Sequence, residues 1–180
     1  STRCGMRTGY VELVNLDPSV LKHLDNIIST NACAPVLGQI TLDLMINPPQ
    51  PGDPSYPLYY EETQNIRTTW IQNVRRVFEV LNSLPGFSCQ PVEGGAFAFP
   101  RVDIPPKAIQ RAKEVEMEPD TFYCVRLLEQ AGVFARPGSE FGQIEDTYHI
   151  RFYIMTPQHI MEELLRRLGI FHTEFMKEFS

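Results

Sequence analysis

Two arginines carry most of the chemistry that can be read from this chain. Arg7 lies in Gly5-Met6-Arg7-Thr8-Gly9, directly before a predicted strand. Flanking glycines let a backbone come close to a ligand, and a guanidinium there can meet a phosphate through two parallel hydrogen bonds. The same spacing also fits a turn with an exposed charge. Arg151 is centred in Tyr148-His149-Ile150-Arg151-Phe152-Tyr153-Ile154. Strand alternation puts Tyr148, Ile150, Phe152 and Ile154 on one face, with His149, Arg151 and Tyr153 on the other. A cation in so apolar a strand needs an anion, either a carboxylate of the protein or one carried by a ligand. Spacing leaves both open.

Other chemistries find little support. There is no GxSxG elbow, no HExxH and no phosphate-cradling Walker loop. His23, His149, His159 and His172 are dispersed, and His172 reads as a packing or surface residue. Cys4, Cys33, Cys89 and Cys124 form no CxxC pair, so neither a metal site nor a disulfide framework is expected, and reduced thiols are the simpler reading. A net charge of −6 argues against nucleic acid as the main partner. No apolar run approaches membrane-spanning length, and the first residues resemble neither a signal nor a transit peptide. With 43% apolar and 21% charged residues, the 180-residue chain can build a sizeable core.

The elements that must position the two arginines follow from periodicity and breakers. Gly9 to Asn15 predicts a short strand, and Asp17-Pro18 predicts a capped helix with Val20, Leu21, Leu24, Ile27 and Ile28 on one face. A second helix is expected over Leu37 to Ile46. Five prolines between Asn47 and Pro57 exclude regular helix and suggest a connector. Ile66, Trp70, Val74, Val77 and Leu81 then form the stripe of a long helix from about Leu58 to Leu81, with Arg67, Gln72, Arg75 and Glu79 on solvated faces. Pro85-Gly86 ends it. Gly95 to Phe99 alternates small and large side chains, a strand with one bulky face. Helices are expected from Pro105-Pro106 through Glu114, from a cap at Asp120 to Gly132, and after Thr156-Pro157, the last followed by an aromatic tail with Phe171, Phe175 and Phe179. Val133 to Ala135 and Tyr148 to Met155 read as strands. The pattern is α/β, with layered helices on a small sheet.

Several segments in this order resemble a known family. Cys4-Gly5-Met6-Arg7-Thr8-Gly9-Tyr10-Val11-Glu12 is similar to the CGxRxGYxE segment of class I pyridoxal-phosphate-dependent aminotransferases of the alanine aminotransferase type. Pro35-Val36-Leu37-Gly38-Gln39, Asn47-Pro48-Pro49, Gly94-Gly95-Ala96-Phe97-Ala98-Phe99-Pro100, Pro119 to Cys124, Pro137 to Gln143 and Thr147 to Arg151 follow without large gaps. Arg3 and Thr8 stand where such proteins often have Glu and Gly. The resemblance implies a type I PLP-enzyme fold. Residues 1–46 would close the large domain; residues 47–180 would supply the connector, long helix and small domain. It further implies that Arg7 binds the coenzyme phosphate and Arg151 the substrate α-carboxylate, with amino acids and 2-oxo acids as substrates and a homodimer as the assembly. The lysine that carries the coenzyme would precede Ser1, so no catalytic residue is expected here and the chain alone should be inactive. A cytoplasmic or mitochondrial setting fits. Another class I aminotransferase, an aminocyclopropane-carboxylate synthase-like enzyme, or a non-catalytic α/β module that binds a protein remain alternatives.

Overall fold

The computed structural model describes residue 5, residues 7–30 and residues 34–180. Cys4, Met6 and Cys33 of the motifs above lie outside the described residues. The chain divides into two compact units, Ser1–Tyr60 and Glu61–Ser180.

In the first unit, Asp17 caps α1 (Pro18–Ser29) as its sequence predicts, its carboxylate accepting the Ser19 N–H at 2.8 Å, with Pro18 in the first turn. Hydrogen bonding to Ser19 holds the Asp17 carboxyl below its ordinary range. Helix α2 (Val36–Ile46) starts one residue earlier than expected, behind Pro35. Residues Gly9 to Asn15 join no ladder, contrary to the predicted strand. A strand is stabilised by its neighbours' backbone groups, and here Tyr10, Val11 and Val14 stay exposed with no paired edge.

Helix α3 (Tyr56–Ser83) is two residues longer at each end than its apolar stripe predicts. The stripe is buried only in its second half, where Val77 and Leu81 are fully covered while Ile66 stays exposed. Buried Asn73 anchors this half by donating to the carbonyls of Ile154 and Thr156 at 3.0 and 2.7 Å. After the turn at Gly86, whose φ of +82° suits glycine, come β1 (Phe87–Ser88), β2 (Phe97–Ala98) and β3 (Arg101–Val102). Then follow α4 (Pro106–Glu114), α5 (Pro119–Ala131), β4 (Arg136–Pro137), a 3-10 turn at Gly138–Phe141, β5 (Ile150–Tyr153) and α6 (Gln158–Glu178).

Strand β5 is central, antiparallel to β2 on one side and β4 on the other. β1 pairs with β3, and Arg101 bridges to His149. β2 and β3 run along the same neighbour, since Ile154 donates to Ala96, Ile150 to Pro100 and Tyr148 accepts from Val102. Pro100, with no N–H to give, splits them. Helix α5 packs against α4, α6, β4 and the 3-10 turn. The α6 side chains Met161, Leu165, Leu168, Phe171 and Phe175 recur at helical spacing and are all buried.

Three local expectations change, and two left open are settled. The aromatic tail is not a tail: α6 continues to Glu178, and its Phe171 and Phe175 pack edge-on or tilted against Tyr123 and Phe122. That packing outweighs the low helix propensity of phenylalanine. Asp120 does not cap α5; Glu118 takes that position and Asp120 is fully buried in the first turn. Val133 to Ala135 forms no strand, pairing starting at Arg136. In β2 the small residue, Ala98, faces the core, and bulky Phe97 and Phe99 face outward. His172 is a packing residue, buried between the Tyr123 hydroxyl (3.0 Å) and the Pro85 carbonyl (2.7 Å).

Candidate oxyanion site

The outer face of the β2–β5–β4 sheet holds the site. Alternation along β5 is as predicted: Ile150 and Phe152 are buried, Arg151 and Tyr153 half-buried on the other face. The Arg151 guanidinium carbon lies 3.8 Å from the Phe97 ring centre and 4.6 Å from that of Phe141. Both distances are within cation–π range. Among the described residues no carboxylate forms an ion pair with it, so the protein-carboxylate alternative for this residue receives no support. Rings neutralise nothing. They bring no acceptor to its N–H donors, which suit an anion.

Each ring is positioned in its own way. Phe97 sits in the ladder opposite Tyr153, which meets it edge-on at 5.6 Å. Phe141 comes from the 3-10 turn, which hangs on the buried carboxylate of Asp120. That group accepts from Thr121 N (2.9 Å), Ser139 N (2.7 Å), Ser139 Oγ (2.9 Å) and Gln143 Nε2 (2.8 Å). With its amide nitrogen committed to Asp120, Gln143 presents Oε1 to His149 Nδ1 at 3.1 Å. His149 therefore carries its proton on Nδ1 and stacks on Phe99, the ring planes nearly parallel and their centres 4.9 Å apart. Burial, followed by the positive charge of Arg101, pulls its pKa below the ordinary imidazole value. The turn lies tight on β5: Gly138 N donates to His149 O at 2.7 Å, and a Cβ on Gly138 would fall 2.3 Å from Gln143 Oε1 and 2.7 Å from His149 Cβ.

Arg7 belongs to the first unit. It is exposed, makes no ion pair among the described residues, and has a φ of +44°, a left-handed conformation uncommon outside glycine. A side-chain carbon added at Gly5 or Gly9 would meet nothing within 4 Å, so the space beside it is open. The two predicted site residues thus lie in separate units. The rings of Phe97 and Phe141 and the Asp120–Gln143–His149 relay are what sequence reasoning missed. The alternation of Gly95 to Phe99 contained the first of these signals, since a bulky face beside a strand arginine is a natural stacking partner. No group of three or more His, Cys, Asp or Glu able to hold a metal occurs among the described residues. All four lysines, Lys22, Lys107, Lys113 and Lys177, are solvent-exposed on helices.

A cation on a strand, flanked by rings and with no ion pair among the described residues, is joined by similarity to known proteins. The family model described as aminotransferase class I and II matches residues 3–168. This chain is a class I and II aminotransferase sequence. Among curated aminotransferases, alanine aminotransferase 2 of Xenopus laevis and alanine aminotransferase 1 of Homo sapiens are each 44% identical to it over 98% of the chain. The match takes in 33% and 36% of those proteins, so the chain spans about a third of the length of its aminotransferase relatives. Among solved aminotransferase structures, alanine aminotransferase from Pyrococcus furiosus superposes with a TM-score of 0.67 at 20% identity, over 89% of this chain and 36% of that one. The fold is that of a segment of these α/β enzymes.

Proposed function

We propose that this chain is part of a pyridoxal-phosphate-dependent transaminase that exchanges the amino group between L-alanine and 2-oxoglutarate, giving pyruvate and L-glutamate. Family membership and the alanine aminotransferases it resembles support the reaction class. The observation that carries the reading is Arg151: a permanently charged fork, sheltered by two rings, with no carboxylate paired to it among the described residues. In this reading Arg151 grips the substrate α-carboxylate and so aims the Cα–H bond. Phe97 and Phe141 limit water around the ion pair, which strengthens it.

The residues near Arg7 fit a phosphate: an exposed guanidinium with no carboxylate paired to it among the described residues, in open space between two glycines. Arg7 would hold the phosphate of the coenzyme, which when bound supplies an electron sink. The four lysines all stand exposed on helices, and none is proposed as the group that carries the coenzyme. Holding the coenzyme covalently and moving the α-proton are therefore assigned to a lysine elsewhere in a longer protein, and the isolated chain is expected to turn over no substrate. Residues 1–46 are read as the end of a large domain and 47–180 as the connector and small domain, in a homodimeric parent. Cytoplasm or mitochondrion is the proposed setting, in keeping with free, buried Cys89 and Cys124. No helix among the described residues is long and apolar enough to cross a membrane.

The test is kinetic, on the full-length protein. Arg151→Lys keeps charge but loses the planar fork. Two charge-assisted hydrogen bonds converted to one weaker contact should raise KM for alanine and 2-oxoglutarate about a hundredfold. Full-length protein that uses neither alanine nor glutamate, or a variant that saturates like the parent, removes the reading.

A further inference from the structure

We propose that Arg136 selects dicarboxylic substrates: it takes the second carboxylate of an amino or 2-oxo acid whose first lies on Arg151, and Glu140 occupies it when the substrate has none. This rests on the reading of Arg151 given above. The argument starts from the ladder. Arg136 on β4 is the register partner of Arg151 on β5. Residues directly opposite on antiparallel strands project from the same face, so two guanidinium groups share the candidate site.

They also share a ring. The Arg136 guanidinium carbon lies 5.0 Å from the Phe141 ring centre and that of Arg151 lies 4.6 Å from it. The two carbons can therefore be no farther apart than those distances added, 9.6 Å. The carboxyl carbons of an extended five-carbon diacid are roughly 5 Å apart, from single bonds of about 1.5 Å. Each carboxylate oxygen sits about 2.8 Å from a guanidinium nitrogen in a good pair. A five-carbon diacid thus reaches both cations. A three-carbon monoacid held on Arg151 has no second carboxylate to offer Arg136.

Glu140 makes the second cation conditional. Its carboxylate accepts from Arg136 Nε at 2.7 Å and bonds the guanidinium a second time, through Nη2. Both side chains are about half exposed, 51% and 43%, and exposed pairs are loosely held and exchange readily. A transaminase that takes a short monoacid and a long diacid into one pocket faces opposite demands. A bare cation beside the monoacid's methyl group is left without a counter-charge, and an apolar wall rejects the diacid's second charge. The Arg136–Glu140 pair meets both demands. It is closed on itself with the monoacid, and with the diacid it opens, exchanging one carboxylate for another.

Full-length protein is compared as Arg136→Leu, Arg136→Lys and Glu140→Gln. Two readouts are used: the ratio of KM for 2-oxoglutarate to KM for pyruvate, and the ratio of inhibition constants for glutarate and propionate. Arg136→Leu is expected to raise both ratios about tenfold, the worth of one screened charge-assisted bond. Arg136→Lys should recover part of that loss. Glu140→Gln, which frees the cation, should lower both. Ratios that stay put in Arg136→Leu, or a rise with Glu140→Gln, overturn the proposal. So does an equal rise of all four constants, which would show a packing role on Phe141. Parent protein that binds neither glutarate nor propionate sinks the Arg151 reading itself, a distinct result.

Discussion

Replacing Asp120 by alanine or by asparagine should separate two roles of one carboxylate, its shape and its acceptor capacity. Oδ2 accepts from Ser139 N and Gln143 Nε2, while Oδ1 accepts from Thr121 N and Ser139 Oγ. Alanine removes both oxygens and strands the Ser139 and Thr121 amides and the Gln143 amide group at a fully buried position. Each orphaned donor costs about 1 kcal/mol or more, so Asp120→Ala should lose about 3 kcal/mol. Asparagine can do better. Placed with its oxygen toward Ser139 N and Gln143, it keeps those two bonds, and its NH2 can donate to Ser139 Oγ, which turns its hydrogen away. Only the Thr121 amide, one of the free first-turn donors of α5, is then lost, at about 1 kcal/mol. Urea unfolding followed by far-ultraviolet circular dichroism reads this. With slopes of about 1–3 kcal/mol/M, alanine should lower the midpoint on the order of 1–3 M and asparagine about a third as much. Equal losses for the two variants, or an alanine loss below about 1 kcal/mol, would refute the network described for the 138–143 turn.

Two further outcomes follow from buried titratable groups. His172 is held below the ordinary imidazole pKa by burial, against the opposing pull of its bond to Pro85 O. The unfolded chain therefore binds this proton more readily, and stability is full above about pH 6.5 and declines as pH falls below it. His172→Gln should flatten that decline in urea midpoints measured between pH 5 and pH 8, and an unchanged slope would show that other groups govern it. Burial first, then the charges of Asp120 and Glu140, push the Cys124 thiol up to about 12. Cys124 should remain unlabelled by iodoacetamide at pH 8 in the native protein and react on unfolding, as mass spectrometry of peptides would show; rapid native labelling would contradict its burial.

Much of the fold was legible because its signals are local. Asp17-Pro18 opens α1, Pro106 sits in the first turn of α4, and Gly132, at a φ of +66°, ends α5. Each needs only neighbours within a turn. The faces of β5 were legible for the same reason, period two being a property of the strand itself. At Asp120 local sequence misleads, because an acidic residue at a helix start suits a cap, whereas its decisive partners, Ser139 and Gln143, lie 19 and 23 residues on. That Phe171 and Phe175 stay in the helix is not visible locally, because the partners that hold them, Tyr123 and Phe122, lie some 50 positions earlier. For the site, Arg151 stood out in sequence, but its lack of an ion pair did not. Whether a carboxylate reaches it is decided by long-range packing.

The two rings beside Arg151 have a consequence for how a ligand would be received. Arginine has many rotamers, and fixing such a side chain on binding costs up to about 2 kcal/mol of rotational freedom. Contacts at 3.8 and 4.6 Å already confine the guanidinium before anything arrives. Part of the ordering needed for recognition is thus built into folding, and the encounter itself has less disorder to remove. A lysine at the same position, with a rounder and more strongly hydrated head, would have to be ordered afresh by every ligand.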